Sequence, residues 1–218
     1  MIWLISDIHG GQYIQGLDEY ASKCTGNDLL IILGDLELNF RETAENKRFT
    51  DYFTSLDCNI AFIDGNHENF DWLYSLPIED WNGGKIHRVS KNIVHMMRGY
   101  IFNVEGYTLL TMGGCKSSQK WRDWGLCWEQ ELPTEEEIKR AYANLEGDSN
   151  RVDYILTHKY HYDSSYADAS AFTLEGFTRY AETSVSYKHW YSGHWHRNER
   201  LDEKHTVVFD KTICIAKF

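Results

Sequence analysis

Proline is nearly absent from this chain, with two residues in 218, and no serine-rich stretch stands in as a linker. Nothing marks a boundary, so residues 1–218 are expected to form one domain, long enough for a substantial α/β core. Long apolar runs are also missing. None approaches the roughly 20 residues that cross a bilayer, so no membrane partner is expected. Cysteine is sparse: Cys24, Cys58, Cys115, Cys127 and Cys214 are odd in number and lack CxxC spacing. The first apolar run opens at Ile2, so no targeting segment is expected. Free thiols in a reducing compartment, and hence a cytoplasmic location, are expected. Positive charge is short as well. The net charge of −11 disfavours broad attachment to nucleic acid or anionic membrane, which needs basic surface. A local basic pocket is still compatible with it, and bound cations would cancel part of the excess.

The first third alternates strand and helix. Ile2 to Ser6 reads as a strand, Gln12 to Cys24 as a helix, and Leu29 to Leu33 as a strand. Thr43 to Leu56 follows as a helix with Phe49, Tyr52, Phe53 and Leu56 on its apolar face, then Ile60 to Ile63 as a strand. This βαβαβ order predicts parallel strands. The middle differs: Ile93–Met97, Tyr100–Val104 and Tyr107–Met112 are short runs separated by Gly99 and Gly106, which suits antiparallel hairpins. A helix is signalled by Pro133-Thr134, by Glu135, Glu136 and Glu137 in its first turn, and by Gly147 at its close. Tyr154–Thr157 returns to strand, and His189 to the end reads as strands and turns. The expectation is an α/β fold of two packed sheets with helices outside.

Chemistry-bearing side chains follow the apolar runs. Asp7 and His9 come after the first, Asp35 after the second, Asn66 and His67 after the third, His158 after Tyr154–Thr157, and His194 with His196 after His189–Tyr191. Imidazole and carboxylate are the donors that divalent transition metals favour, and a carboxylate can bridge two ions. Gly34 gives Asp35 the close backbone approach that bridging needs. Singly, such residues are more often turn or cap residues. All of them together at successive strand ends point to one two-metal site.

Asp7-x-His9, Gly34-Asp35, Gly65-Asn66-His67-Glu68, Thr157-His158 and Gly193-His194-x-His196, in this order, resemble the calcineurin-like metallophosphoesterases over nearly the whole chain. The resemblance implies a four-layer α/β/β/α sandwich with two mixed sheets. It implies that Asp7, His9, Asp35 and His196 hold one divalent ion and Asp35, Asn66, His158 and His194 the other. Manganese is the expected metal, with iron, zinc or nickel as alternatives. The ions would share a hydroxide that attacks the phosphorus of a phosphate monoester, with Asp35 bridging. His67 is expected at the phosphate, stabilising the transition state or protonating the leaving oxygen, with Glu37 or Asp64 behind it. A phosphodiesterase or nucleotide hydrolase is the near alternative, and a non-catalytic scaffold is disfavoured because every imidazole is kept.

Two segments depart from the family. Leu36-Glu37-Leu38-Asn39 replaces the aspartate-arginine-glycine run of the Ser/Thr protein phosphatases. Lys159-Tyr160-His161-Tyr162 stands where relatives commonly have proline, and His161 is weighed as either pocket-lining or surface. The partner expected is a small phosphorylated substrate or a phosphopeptide. Candidate contacts to it are Arg41 and, from the tryptophan-rich segment 113–133, Lys116, Lys120 and Arg122. Trp121, Trp124 and Trp128 would either stack on the leaving group or cap the core. Cys115 is not expected to act as a phosphate-attacking thiolate, because Cys115 to Arg122 is one residue too long for a Cys-x₅-Arg loop. His87, His95, His189 and His205 match no motif and are expected to be structural or solvated.

Overall fold

The computed structural model describes residues 1–160 and 170–216. In chain order the elements are β1 (Ile2–Ile5), α1 (Gln15–Ala21), β2 (Leu29–Leu33), α2 (Ala44–Ser55), β3 (Asn59–Ile63) and α3 (Phe70–Leu73). Next come β4 (Ile78–Trp81), β5 (Gly84–Arg88), β6 (Ile93–Met96), β7 (Ile101–Val104), β8 (Tyr107–Met112), α4 (Gln119–Asp123) and α5 (Glu135–Gly147). The last are β9 (Tyr154–Thr157), α6 (Leu174–Ser184), β10 (His189–Ser192), β11 (Glu199–Arg200), β12 (His205–Val207) and β13 (Ile213–Ala216). They form a first sheet ordered β13-β1-β2-β3-β6-β5-β4 and a second ordered β11-β12-β10-β9-β8-β7.

Strands buried on both faces explain the unbroken apolar runs. Along β2, Leu29, Ile31 and Leu33 face the second sheet, meeting Leu109 and Leu156 there. Leu30 and Ile32 face Leu17 of α1 and Phe49 and Phe53 of α2. On the outer side of the second sheet, Leu110 and Ile155 pack against Ile138 and Leu145 of α5 and Phe177 of α6. These three apolar layers make the four-layer α/β/β/α sandwich. The helix starts are fixed by side-chain caps: Thr43 accepts from Asn46 N–H, and Thr134 and Glu137 form a capping box on α5.

Register places the site. Parallel pairing sets Ile5 beside Ile32 and Leu33 beside Ile63, so β1, β2 and β3 end together. In the second sheet Met112, Thr157 and Ser192 are in register, so β8, β9 and β10 also end together. Every ligand-bearing segment named above leaves one of these aligned ends.

Some expectations are corrected. The helix expected over Gln12–Cys24 is shorter, because a tight turn over His9–Gly11 precedes α1. Ile93–Met96 and Ile101–Val104 do not form a hairpin. β6 lies between β3 and β5, whereas β7 pairs with β8 in the other sheet, and the chain crosses between sheets at Arg98-Gly99. The β4–β5 hairpin and α6 add to the expected elements. Cys24 and Cys58 are joined by a disulfide with their Cα atoms 6.3 Å apart, contrary to the expectation of free thiols. They precede neighbouring parallel strands whose registers match Leu29 to Asn59, which brings them within bonding reach.

The crossover is pinned by a buried ionic cluster. Arg98, fully buried, donates through Nε to Asp64 Oδ2 at 2.8 Å and through Nη2 to the Gln130 carbonyl at 2.7 Å, and His95 Nε2 lies 3.0 Å from Asp64 Oδ1. Asp64→Ala removes the fully buried carboxylate partner of that guanidinium and leaves it only the longer carboxylate contact, to Glu137 at 3.4 Å. It is expected to cost about 3–5 kcal/mol in urea unfolding, and a loss under about 1 kcal/mol would contradict the pairing.

Candidate metal centre

The loops at the strand ends are built from left-handed backbone. Asp7 (φ 58°), His9 (47°), Asp35 (55°), Glu37 (61°), His194 (69°) and His196 (48°) all have positive φ. Aspartate and histidine tolerate this region better than most residues, yet each instance still costs of order 1–3 kcal/mol. Cross-loop hydrogen bonds over-determine it. Asp7 N–H donates to Gly34 O (3.0 Å), His9 N–H to Asp35 O (2.9 Å), and Gly193 N–H to His158 O (2.8 Å). His67 N–H donates to Asp35 Oδ1 (2.8 Å) and His194 N–H to Asp7 Oδ2 (2.9 Å). Glycine is required at two close approaches: a Cβ on Gly65 would strike the Asp35 carboxylate, and one on Gly193 would lie 2.7 Å from Asp7 Oδ2.

Glu68 was present in the sequence motif without a role. It is buried and accepts from Leu36 N–H (3.0 Å), Glu37 N–H (3.3 Å) and Gly65 N–H (3.3 Å), tying the loops after β2 and β3 together. Burial pushes its carboxyl well above the usual range, against the pull of the Leu36 N–H and with help from Asp35.

The donor atoms converge in two groups. In one, His9 Nε2 and His196 Nε2 are 3.0 Å apart, and Asp7 Oδ1 lies 3.3 Å from His196 Nε2 and 3.8 Å from His9 Nε2. In the other, His158 Nε2 lies 3.2 Å from His194 Nδ1 and 3.3 Å from Asp35 Oδ1. Asp35 joins them, because its Oδ2 is 3.5 Å from His9 Nε2. Ligand bonds near 2.1 Å put neighbouring donors roughly 3.0–3.4 Å apart, so the donor set fits divalent ions. Two buried oxygens, Asp7 Oδ1 and Asn66 Oδ1, accept no hydrogen bond from the described residues. Both belong to the expected ligands, and a cation would satisfy them.

Hydrogen bonds also orient the rings. His158 Nδ1–H donates to Leu33 O at 2.7 Å and His9 Nδ1–H to Glu37 Oε1 at 2.9 Å, which leaves the Nε2 lone pairs inward. Burial opposes charge on His158, but Asp35 beside it raises the ring to about 10. Burial would likewise raise Asp35, and His158, His67 and His9 instead hold it well below the carboxylate range. Burial and the charge of His158 depress His194 to about 3. Metal binding to such a site displaces protons.

The structure distinguishes the two acids considered for His67. Glu37 Oε1 lies 3.0 Å from His67 Nδ1 and also bonds His9, whereas Asp64 is committed to His95 and Arg98. His67 also meets the Trp121 ring edge-on at 4.3 Å. Its Nε2 is the nitrogen without a protein partner among the described residues.

An open cleft of about 730 Å³ is lined by Asp35, Asn66, His67, His194 and His196, together with Arg41, Lys116 and Trp121. Lys120 and Arg122 do not line it. The Lys120 ammonium lies over Trp124, 4.6 Å from the ring centre, and Arg122 lies 4.0 Å from Glu131. Trp121 reaches the cleft and Trp128 packs on Phe40 and Phe70 and donates to Asp71, whereas Trp124 is exposed, outside the cleft lining, and fits neither expected role. Lys159, absent from the sequence candidates, lines the cleft directly after His158. His87 and His95 are buried against each other, His189 bonds Thr206, and His205 bonds Glu182 and Asp202. His161 lies outside the described residues.

The sequence profile of the calcineurin-like phosphoesterases matches residues 1–198, and the chain belongs to that family. Phosphoester hydrolysis is the general chemistry of that family. No curated protein matches the chain. Among solved structures, a putative 5′-nucleotidase from Staphylococcus aureus in complex with alpha-ketoglutarate is similar at 15% identity and TM-score 0.46, over 95% of this chain and 48% of that one. The chain thus spans about half the length of that protein. A protein of unknown function from Aquifex aeolicus is similar at 15% identity and TM-score 0.41, over 86% of this chain and 87% of that one.

Asp35→Asn is expected to bind less than half the metal of the wild-type chain by elemental analysis after equal loading, and equal occupancy would contradict a bridging role. Cys115 is buried 3.7 Å from His194 Nε2, and burial pushes its thiol up to about 12. Cys115→Ser should therefore keep most phosphoesterase turnover, and near-complete loss would restore the thiolate mechanism.

Proposed function

We propose that this chain is a binuclear metal-dependent phosphomonoesterase, with residues 1–218 acting as one cytoplasmic domain. Asp7, His9, Asp35 and His196 would hold one divalent cation, and Asp35, Asn66, His158 and His194 the other. The observation that carries this reading is the Asp35 carboxylate, whose oxygens face the two imidazole groups separately, at 3.5 Å from His9 and 3.3 Å from His158. When bound, such ions supply Lewis acidity and an activated water; nitrogen and oxygen donors accept manganese, our first choice, as well as iron, zinc or nickel.

The protein's own contribution is positional. Glu37 holds His67 through Nδ1, which leaves Nε2 free, and in the imidazolium form that Nε2–H serves as the proton donor to the leaving oxygen. Trp121 and Phe40 fix the plane of the His67 ring, with centres at 4.3 and 5.5 Å. Arg41 lines the cleft as a phosphate contact, and Lys116 lines it as a further cation. A dianionic monoester gains more from these cations than a monoanionic diester does. That is the physical ground for preferring monoester over diester hydrolysis on the same centre.

The test uses metal-stripped protein reconstituted with Mn²⁺ and offered p-nitrophenyl phosphate or bis-p-nitrophenyl phosphate. Faster turnover of the monoester is expected, and faster diester turnover would transfer the assignment to a phosphodiesterase. His67→Ala should keep full metal occupancy while kcat falls about 10²–10⁴-fold, the usual contribution of a positioned acid. Inactivity toward both esters with metal bound would leave a binding scaffold.

A further inference from the structure

The charges lining the cleft do not balance within the protein. Its acidic members are all engaged: Asp35 with His158, Glu37 with His9 and His67, and Glu45 with Arg48. Its long cations are not. Among the described residues, Arg41, Lys116 and Lys159 have no carboxylate within ion-pair distance, although acidic residues outnumber basic ones by 33 to 22. Two of them rest instead on aromatic faces, Arg41 over Trp121 (5.5 Å) and Lys159 over Trp195 (5.0 Å).

These cations stand on two flanks. Arg41 comes from the loop after β2 and, through Trp121, belongs to the His67 flank. Lys116 and Lys159 follow the adjacent parallel strands β8 and β9, and Trp195 beneath Lys159 meets His194 at 5.4 Å. A single phosphoryl group seated between the metal donors and His67 is served by the metals, Asn66 and Arg41. Lys116 and Lys159, which also line the cleft, are left over.

We propose that the substrate is a small phosphate ester whose leaving group carries a second anionic group, and that Lys116 and Lys159 bind that group. This rests on the phosphoesterase reading above and adds the substrate class to it. The shared chemistry is a compact anion, phosphate or carboxylate, presented to two ammonium groups at the rim of the centre. Lys159 is then a specificity residue.

Matched pairs test the idea: 5′-AMP against adenosine 3′,5′-bisphosphate, and phenyl phosphate against 4-carboxyphenyl phosphate. Initial phosphate release by the Mn²⁺-loaded chain should favour the doubly anionic member by about tenfold in kcat/KM, the scale of one charge-assisted contact. Preference in the first pair alone identifies a second phosphate, and preference in the second pair alone a carboxylate. The ratio should collapse toward one in Lys116→Ala and Lys159→Ala. It should persist in Lys159→Arg and in Lys204→Ala, a distant lysine that changes net charge equally. Equal rates within both pairs, or ratios unchanged in both alanine variants, overturn the proposal while leaving the phosphoesterase intact. If no ester is hydrolysed, that activity fails instead. Calorimetry on metal-free protein then judges the subsite separately: adenosine 3′,5′-bisphosphate should bind about tenfold tighter than 5′-AMP, and the difference should vanish in Lys159→Ala. Equal affinities in the wild-type chain would refute the subsite.

Discussion

One carboxylate organises this protein. Asp35 is buried, and three histidines keep it ionised against the desolvation that would otherwise protonate it. An isolated carboxylate in such a place costs several kcal/mol, so the surrounding imidazoles are not optional decoration. The same group accepts the His67 backbone N–H, faces His158 with one oxygen and faces His9 with the other. The loops after β1, β2, β3 and β9 are thereby held in one arrangement. Glu37, two residues further on, repeats the device at smaller scale by bonding His9 and His67 together.

The fold supplies the rigidity that this arrangement demands. A loop residue with positive φ stays there only when its neighbours leave no alternative. Aligned parallel strand ends provide that condition, because several loops emerge within hydrogen-bonding reach of one another. Buried apolar layers on both faces of each sheet then transmit the constraint: strands cannot slip by one residue without exchanging their two sets of core contacts. The glycines at 65 and 193 complete the fit by letting backbone approach the Asp35 and Asp7 carboxylates. Strain at the site and order in the sheets are thus two sides of one design.

Much of the site was legible in the sequence because its signals are local. A buried strand is an apolar run, and a ligand is a polar residue at its end, so the seven proposed ligands could be read off Asp7 through His196 in chain order. The capping box at Thr134 and Glu137 was legible for the same reason. What escaped depends on long-range placement. The hairpin of β4 and β5 contains exposed Glu79 and Asp80 and lacks a clean alternating face. The passage of the chain between sheets at Gly99 resembles a turn in sequence, and only the pairing of β6 with β5 and of β7 with β8 in separate sheets reveals that it is a crossing. Glu37 and Asp64 were indistinguishable as partners of His67 because each lies beside a ligand segment. The Cys24–Cys58 bridge required knowing that two helices return to neighbouring strands. Lys159 was visible only as a departure from the family pattern, with its direction unspecified.

The charge distribution resolves an apparent conflict between an acidic chain and an anionic substrate. Net charge acts at a distance, and at physiological ionic strength its reach is roughly one Debye length, about 8 Å. Inside the cleft the local balance decides, and there the carboxylates are engaged while Arg41, Lys116 and Lys159 have no acidic partner among the described residues. A compact anion that diffuses into the cleft leaves the repulsive field and enters an attractive one. The carboxylate excess of the chain is therefore compatible with the small phosphate esters proposed as substrates.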